Sequence, residues 1–396
     1  MFEKTPLAPL DPILGLSTSY QQDTRSDKVN LGVGVYKNEQ GITPVLDVVK
    51  KAESILLKEE VSKSYLPIAG LSRYTDLVTN LLLGQDHAVI KAQRVGTIQV
   101  PGGTGGLRVA ADFLFHVLGA KRIWISRPTW ANHLAIFKTV GFDIVEYDYY
   151  DKASHQLDFA KMKSQLQQAQ SGDILLLHTC CHNPTGADLS LEQWSELVDL
   201  CRAQQVTPLF DTAYLGFHQG IEQDAQVLRM CAEKLPEMLI VNSFSKNFSL
   251  YNERIGTLSV ITESADHLEA ALSQMKRMAR VLYSNPPAHG ALIVAQILSD
   301  SALCDMWHAE LKMMRERIAS MRHLLVQALA NNKAGIDFSF IEHQRGMFSF
   351  SGLSVEQVTR LRDEFGIYMT DSGRMSVAGI SQSNVKYLAD AINQVL

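Results

Sequence analysis

Cysteine is scarce in this chain: five in 396 residues, at positions 180, 181, 201, 231 and 304. An odd, thinly spread set makes no disulfide framework, so a reducing compartment is expected, with the cytoplasm as its default. A run of eighteen apolar residues is also missing, and no membrane-spanning helix is expected. Neither sign of charge dominates: 37 basic and 42 acidic residues leave a formal net charge of -5. With no long basic patch or tail, general affinity for nucleic acid or anionic membranes is not indicated. A locally positive cleft for a small anion is compatible with that average. The opening MFEKTPLAPLDPILGL lacks an apolar core of useful length and carries Glu3, Pro9, Asp11 and Pro12, so it does not read as a secretory signal. Internal repeats, low-complexity tracts and long flexible linkers are absent as well.

What is present is globular: 46% hydrophobic and 20% charged residues, over a length that permits a large core and two or three domains. Apolar runs at 95–100, 122–127, 143–149, 173–180, 207–211, 238–244 and 256–261 read as strands. Stretches at 107–118, about 132–139, 157–169, 191–204, 225–235 and about 264–279 read as helices between and after them. The strand cores are continuously apolar, as expected where helices cover both faces. Right-handed crossovers then predict an α/β fold, a three-layer large domain with a mostly parallel sheet. From about residue 300 the texture changes. A long helix over 307–330, a hairpin over 338–352, a helix over 354–365 and a last helix from about 382 predict a smaller α+β domain. The expected division is 1–45 as a segment packing on the small domain, 46–300 as the large domain and 301–396 as the small domain.

In such a sheet, ligands bind at the carboxyl ends of the strands. Polar loops cluster there: QVPGGTGGL (99–107), SRPTWANH (126–133), HTCCHNPTG (178–186), FDTAYLGF (210–217) and SFSKNFSLYNERIG (243–256). PGGTGG opens a helix, where backbone N–H groups favour an anion; a plain tight turn is the other reading. No Gly-Lys-Ser/Thr follows, and position 108 is Arg where a dinucleotide fingerprint needs glycine, so a lone phosphate fits better than a nucleotide. Arg254, with its planar fork, and Ser243 or Ser245 are candidate partners for it. Asp211 ends an apolar run and needs a partner, either as a cap or facing a protonated ring nitrogen. Tyr214 follows three residues on. Trp130 offers an aromatic face or ordinary core packing. His178, Cys180 and His182 would share one face of an extended strand, but no second pair at zinc spacing lies near, and no metal is expected. Asn183 can donate its amide to an oxygen. Lys246 is either a solvated turn residue or a reactive amine. Lysine amines form Schiff bases with aldehydes, and pyridoxal phosphate asks for this set of a lysine, a carboxylate and anion donors.

These motifs, with DPILGL, NLGVGVY, PGGTGGLR, YSNPPAHG and MFSFSGL in the same order, make the chain resemble the aspartate aminotransferase family from end to end. That is a family of fold-type I, class I aminotransferases, here most like its bacterial aspartate and aromatic amino acid members. The resemblance implies that Lys246 bonds the cofactor aldehyde, Asp211 pairs with the pyridine nitrogen, and Tyr214 and Asn183 approach the ring hydroxyl. It implies that Trp130 stacks on the ring, and that Gly103, Thr104, Ser243, Ser245 and Arg254 hold the phosphate. It places Arg374 on the substrate α-carboxylate, with Asn183 and the backbone at Gly34, and His133 behind Asp211. From the other subunit of a homodimer it brings Tyr65 to the phosphate and Arg280 to the distal carboxylate of a dicarboxylic substrate. Tyr65, Arg280 and Arg374 carry no such signal of their own.

The activity implied is transamination between L-aspartate and 2-oxoglutarate, giving oxaloacetate and L-glutamate by a ping-pong route. A broad aromatic amino acid aminotransferase is the alternative. Lys37, Thr43, Thr104 and Asn285 resemble the aspartate-selective type, and Ser64 departs from its asparagine. A non-catalytic pyridoxal phosphate-binding module and a P-loop-like nucleotide enzyme are the readings of other classes. The full Lys246–Asp211–Arg374 set speaks against the first and the missing lysine motif against the second.

Overall fold

The computed structural model describes residues 1–7, 14–330 and 335–396. Pro9 and the Asp11–Ile13 half of DPILGL lie outside the described residues. Seven strands form one sheet: β1 Val95–Pro101, β2 Arg122–Arg127, β3 Asp143–Asp148, β4 Ile174–His178, β5 Thr207–Thr212, β6 Met238–Ser243 and β7 Ile255–Ile261. Their spatial order is β1-β7-β6-β5-β4-β2-β3. β2 to β6 pair in parallel, and β7 runs against both β1 and β6. The reversal follows from the connection: residues 244–254 hold no crossover helix, and a parallel return takes roughly a dozen residues or more.

The sheet separates two cores. Along β2, Ile123 and Ile125 face one and Trp124 the other; along β6, Leu239 and Val241 face the first and Ile240 the second. Burial on both faces is why these strands read as unbroken apolar runs. Helices cover both faces, among them α1 Gly102–Asp112, α2 Ala131–Val140 and α3 Ala265–Leu282. α1 starts five residues before the apolar spacing predicts and continues as a π turn, Phe113–Val117. Its first turns are glycine, which gives no apolar signal and has poor helix propensity. Packing selects it: a Cβ on Gly106 would stand 2.7 Å from Val241 Cγ1, so only glycine lets this turn lie flat on the sheet.

The long α4, Ser301–Leu329, buries Leu303, Trp307, Leu311, Met314, Ile318, Met321, Leu325 and Leu329, one stripe at helical spacing. Beyond it, a short ladder joins Phe348–Phe350 to Arg374–Ser376. The helix Val355–Phe365 lies between them, closed by a Ser354–Gln357 capping box and by Gly366 at φ 65°. The N-terminal Val29–Asn30 pairs in parallel with Ile367–Tyr368, and Ser376 N donates to Leu31 O at 2.7 Å.

Two local expectations fail. Residues 338–352 are not a hairpin but a short helix, Phe340–His343, followed by a strand that pairs with 374–376. The carbonyls of Ile341, Gly346 and Phe348 are taken by the Arg322 side chain, so this stretch does not fold back on itself. β4 ends at His178 and Cys181 has φ 54°, so His178, Cys180 and His182 do not share a strand face. Among the described residues, no helix is long and apolar enough to cross a membrane.

Candidate active site

Because β1, β2, β4, β5 and β6 end on the same side, their polar loops meet. They enclose a cavity of about 260 Å³ lined by Gly34, Gly103, Thr104, Trp130, Asn183, Asp211, Tyr214, Ser243, Ser245, Lys246, Arg254 and Arg374. These predicted residues are therefore brought together. A larger cavity of about 830 Å³ opens at the other end of the strands, by the amino ends of the parallel ones. Its walls are mostly apolar, and its Arg122 and Asp173 already pair with each other at 2.9 Å, so it offers no convergent chemistry.

One end of the smaller cavity is an anion cradle. α1 begins there with its first N–H groups unpaired within the helix. Gly102 has φ +71°, and a Cβ on it would lie 2.6 Å from Arg254 Nη2, so glycine admits the guanidinium against the helix start. Arg254 Nη1 donates to Ser245 Oγ at 3.2 Å and to the Tyr251 carbonyl at 3.0 Å. Both partners are neutral, and no carboxylate pairs with Arg254 among the described residues. Ser243 Oγ lies 3.2 Å from Ser245 Oγ, which completes the donor group.

In the middle stand Lys246, Tyr214 and Asp211. Lys246 Nζ sits 4.8 Å from the centre of the Tyr214 ring. Burial lowers the Lys246 pKa; Asp211 opposes this and Arg254 adds to it. Burial raises the Tyr214 pKa, keeping its hydroxyl protonated. For Asp211, burial alone would raise the pKa, but the His133 hydrogen bond and the neighbouring basic groups outweigh it and hold the carboxyl below its ordinary value.

Behind Asp211 the donors and acceptors can be ordered. The Asn183 N–H can only donate, and it reaches His178 Nδ1 at 3.0 Å. His178, which burial pushes down to about 3 and so keeps neutral, carries its proton on Nε2. That atom lies a long 3.5 Å from Thr129 Oγ1. The Thr129 hydroxyl is 2.8 Å from His133 Nδ1, and His133 Nε2 is 2.9 Å from Asp211 Oδ2. An ionised carboxylate only accepts, so His133 donates to it from Nε2. A continuous run of hydrogen bonds thus links the Asn183 turn to Asp211. His133, His178 and Asp211 also have the spacing of a metal site. Hydrogen bonds accounting for both histidines give that cluster a purpose without an ion.

At the far end Arg374, 5% exposed, donates through Nη2 to Gly32 O at 2.8 Å and through Nη1 to Asn183 Oδ1 at 3.4 Å. Its Cζ stands 4.3 Å from the centre of the Phe348 ring. Arg374 Nε has no hydrogen-bond partner among the described residues. Trp130 is half-buried and meets His133 edge-on at 5.2 Å.

Two predicted residues stay apart from this cavity. Tyr65 is 92% exposed on a loop, and Arg280 is exposed on the last turn of α3, beside Ser284. Lys37, Thr43 and Asn285 are half-buried, Ser64 is exposed, and none of them lines the cavity. Three lining residues escaped sequence reasoning: His178 as an orienting group, Tyr251 and Phe348. Tyr251 lies inside SFSKNFSLYNERIG and Phe348 inside MFSFSGL, but neither shows a spacing that separates site from core.

Pyridoxal phosphate fits this chamber. The Arg254 charge and helix start suit its phosphate, the His133-held Asp211 suits a protonated ring nitrogen, and the Lys246 amine with lowered pKa suits an aldehyde.

Such a fold and chamber define a group-transfer enzyme acting on amino and oxo acids. Comparison with known proteins makes this specific. The family model for aminotransferases of class I and II matches residues 26–392. An aspartate aminotransferase of Salmonella typhi is 50% identical over 396 residues, covering 100% of each chain. An aromatic-amino-acid aminotransferase of Escherichia coli K12 is 46% identical over 397 residues, again covering 100% of each. The crystal structure of an aromatic-amino-acid aminotransferase from Burkholderia pseudomallei, covalently bound to pyridoxal phosphate, superposes with a TM-score of 0.97. It shares 47% identity, covering 100% of this chain and 99% of that one. The chain belongs to the class I and II aminotransferases.

Proposed function

We propose that this aminotransferase uses pyridoxal phosphate to exchange the amino group between L-aspartate and 2-oxoglutarate, giving oxaloacetate and L-glutamate. The observation that carries this is the convergence of Lys246, Asp211 and Arg374 on one 260 Å³ cavity. When bound, the cofactor supplies an aldehyde for the amine and a ring that draws electrons from the substrate α-carbon. Lys246 would hold it, and its free Nζ would take the substrate α-proton and later return one. Its lowered pKa makes the free amine available nearer neutrality. Asp211 stays ionised and holds a proton at the ring nitrogen, with His133 keeping it oriented. Tyr214, Trp130, Gly103, Thr104, Ser243, Ser245 and Arg254 would hold the cofactor, Tyr214 and Trp130 at its ring and the others at its phosphate. Arg374 takes the α-carboxylate in its fork, assisted by Asn183 and the Gly34 backbone.

Tyr65 and Arg280 complete the site in a homodimer. Their exposure in one protomer supports this, since neither reaches its own cavity. Arg280 of the partner subunit would meet the distal carboxylate and so select dicarboxylic substrates. The five free cysteines, four of them buried, support a reducing, cytoplasmic location. An aromatic preference is the second reading, favoured by the 46% identity to an aromatic-amino-acid aminotransferase. The deciding measurement is kcat/KM for aspartate against phenylalanine, with 2-oxoglutarate as acceptor, in the native chain and in Arg280→Ala. Aspartate preference lost in the variant, with phenylalanine turnover kept, is the expected result. A native ratio favouring phenylalanine establishes the second reading.

A further inference from the structure

Arg322 lies on α4 and is 3% exposed. A buried guanidinium ordinarily faces a carboxylate, because an uncompensated buried charge is costly. Arg322 instead donates to three neutral backbone carbonyls: Ile341 at 3.1 Å, Gly346 at 2.8 Å, and Phe348. The Asp188 carboxylate favours the charge from a distance, but the fork itself is spent on one segment of backbone.

Residues 341–348 touch the site in two places. On one side they pack on the turn that carries Asn183. A Cβ on Gly346 would stand 2.4 Å from Cys181 Cβ, and Arg345 N donates to Gly186 O at 2.7 Å. On the other side they present Phe348. Its ring lies 4.3 Å from Arg374 Cζ, meets Tyr214 edge-on at 6.0 Å, and leaves no room for a side chain at Gly34, where a Cβ would be 2.6 Å from Phe348 Cζ. Asn183 and Phe348 are also two of the groups that orient Arg374. One buried arginine therefore braces both supports of another.

We propose that Arg322 is a positioning residue for substrate carboxylate binding: by tying the 341–348 carbonyls to α4 it sets the Phe348 ring beneath Arg374. This rests on the reading of Arg374 as the carboxylate clamp. A planar fork reaches three carbonyls at once, and a lysine ammonium on a flexible stem does not reproduce that geometry.

The test measures the Kd of succinate, a dicarboxylate with no amino group, for the pyridoxal phosphate-loaded dimer, together with KM and kcat for aspartate. Arg322→Lys is the main variant and Arg322→Gln the substitute if it does not fold; Phe348→Leu and the double variants complete a cycle. The expected result is a succinate Kd and aspartate KM raised about tenfold, with kcat and the bound cofactor's absorbance nearly unchanged. Adding Phe348→Leu should weaken binding little further, because both changes act through one ring. Arg374→Ala is run alongside. If it weakens succinate and the Arg322 variants do not, the proposal is overturned and the clamp stands. Additive losses from Arg322 and Phe348, or cofactor loss together with a fall in kcat, also overturn it. If Arg374→Ala leaves succinate binding intact, the clamp reading fails, and the proposal with it.

Discussion

The two ends of the cavity are built on different plans. At the Asp211 end, both nitrogens of His133 and of His178 have partners, drawn from the strand-end loops of one sheet. At the Arg374 end, the guanidinium is held by groups from residues 32, 183 and 348, and its Nε has no partner among the described residues. The first is a finished electrostatic arrangement whose task is the same for every substrate. The second keeps hydrogen-bonding capacity unspent, as the proposed carboxylate clamp requires. On the proposed function, the contrast separates what must be rigid for proton transfer from what must be open for exchange.

Removing the group between the two ends has the largest expected effect. Lys246→Ala should cut turnover at least ~10⁴-fold while leaving the anion cradle able to retain pyridoxal phosphate. Steady-state rates, with cofactor absorbance after dialysis, check both halves of that statement. Next comes the open end. Arg374→Ala should raise the aspartate KM about 100-fold, because a buried carboxylate pair loses one partner. The pH dependence of cofactor absorbance should not move. If it does, the two ends are not independent.

Smaller effects probe the finished end. Thr129→Val removes the hydroxyl that bonds His133 Nδ1, and should lower kcat roughly 3- to 10-fold and shift the pH–rate profile, with Thr129→Ser retaining both. A Thr129→Val variant with an unchanged rate and pH profile would mean that packing, not the hydrogen bond, matters there. Smallest is a stability effect. His178 has its pKa pushed from 6.5 down to about 3 by burial. Unfolded chains therefore bind a proton in that window that the folded chain does not, so stability is full above it and is lost as pH falls through it. His178→Gln should make the acid slope of unfolding free energy shallower by at most about 1.4 kcal/mol per pH unit. Denaturant titrations between pH 6.5 and 4 give the slope, and an unchanged one contradicts a neutral, buried His178.

Legibility in the sequence followed the same divide. The strands and their carboxyl-end loops were readable because apolar runs bounded by polar turns are a local signal. Lys246, Asp211, Asn183 and the PGGTGG turn stood out for that reason. Arg374 and Phe348 did not, because each earns its place through partners far away in the chain, as Phe348 does with Gly34. The hairpin expected at 338–352 failed likewise: a side chain on α4 claimed the carbonyls a return strand would have used. Tyr65 and Arg280 were named only through family resemblance, and their place in the proposed dimer is independent of local pattern.

The amino-acid order by itself determined the three-layer α/β architecture and the identity of the polar loops, because hydrophobic period and turn chemistry act over a few residues. Only the tertiary structure decided the reversed β7, the run of hydrogen bonds linking Asn183 to Asp211, and the contacts of Phe348 with Arg374 and of Arg322 with the 341–348 carbonyls. Those depend on which groups meet across the fold, and hydrogen-bond direction and ring contact exist only once they have met.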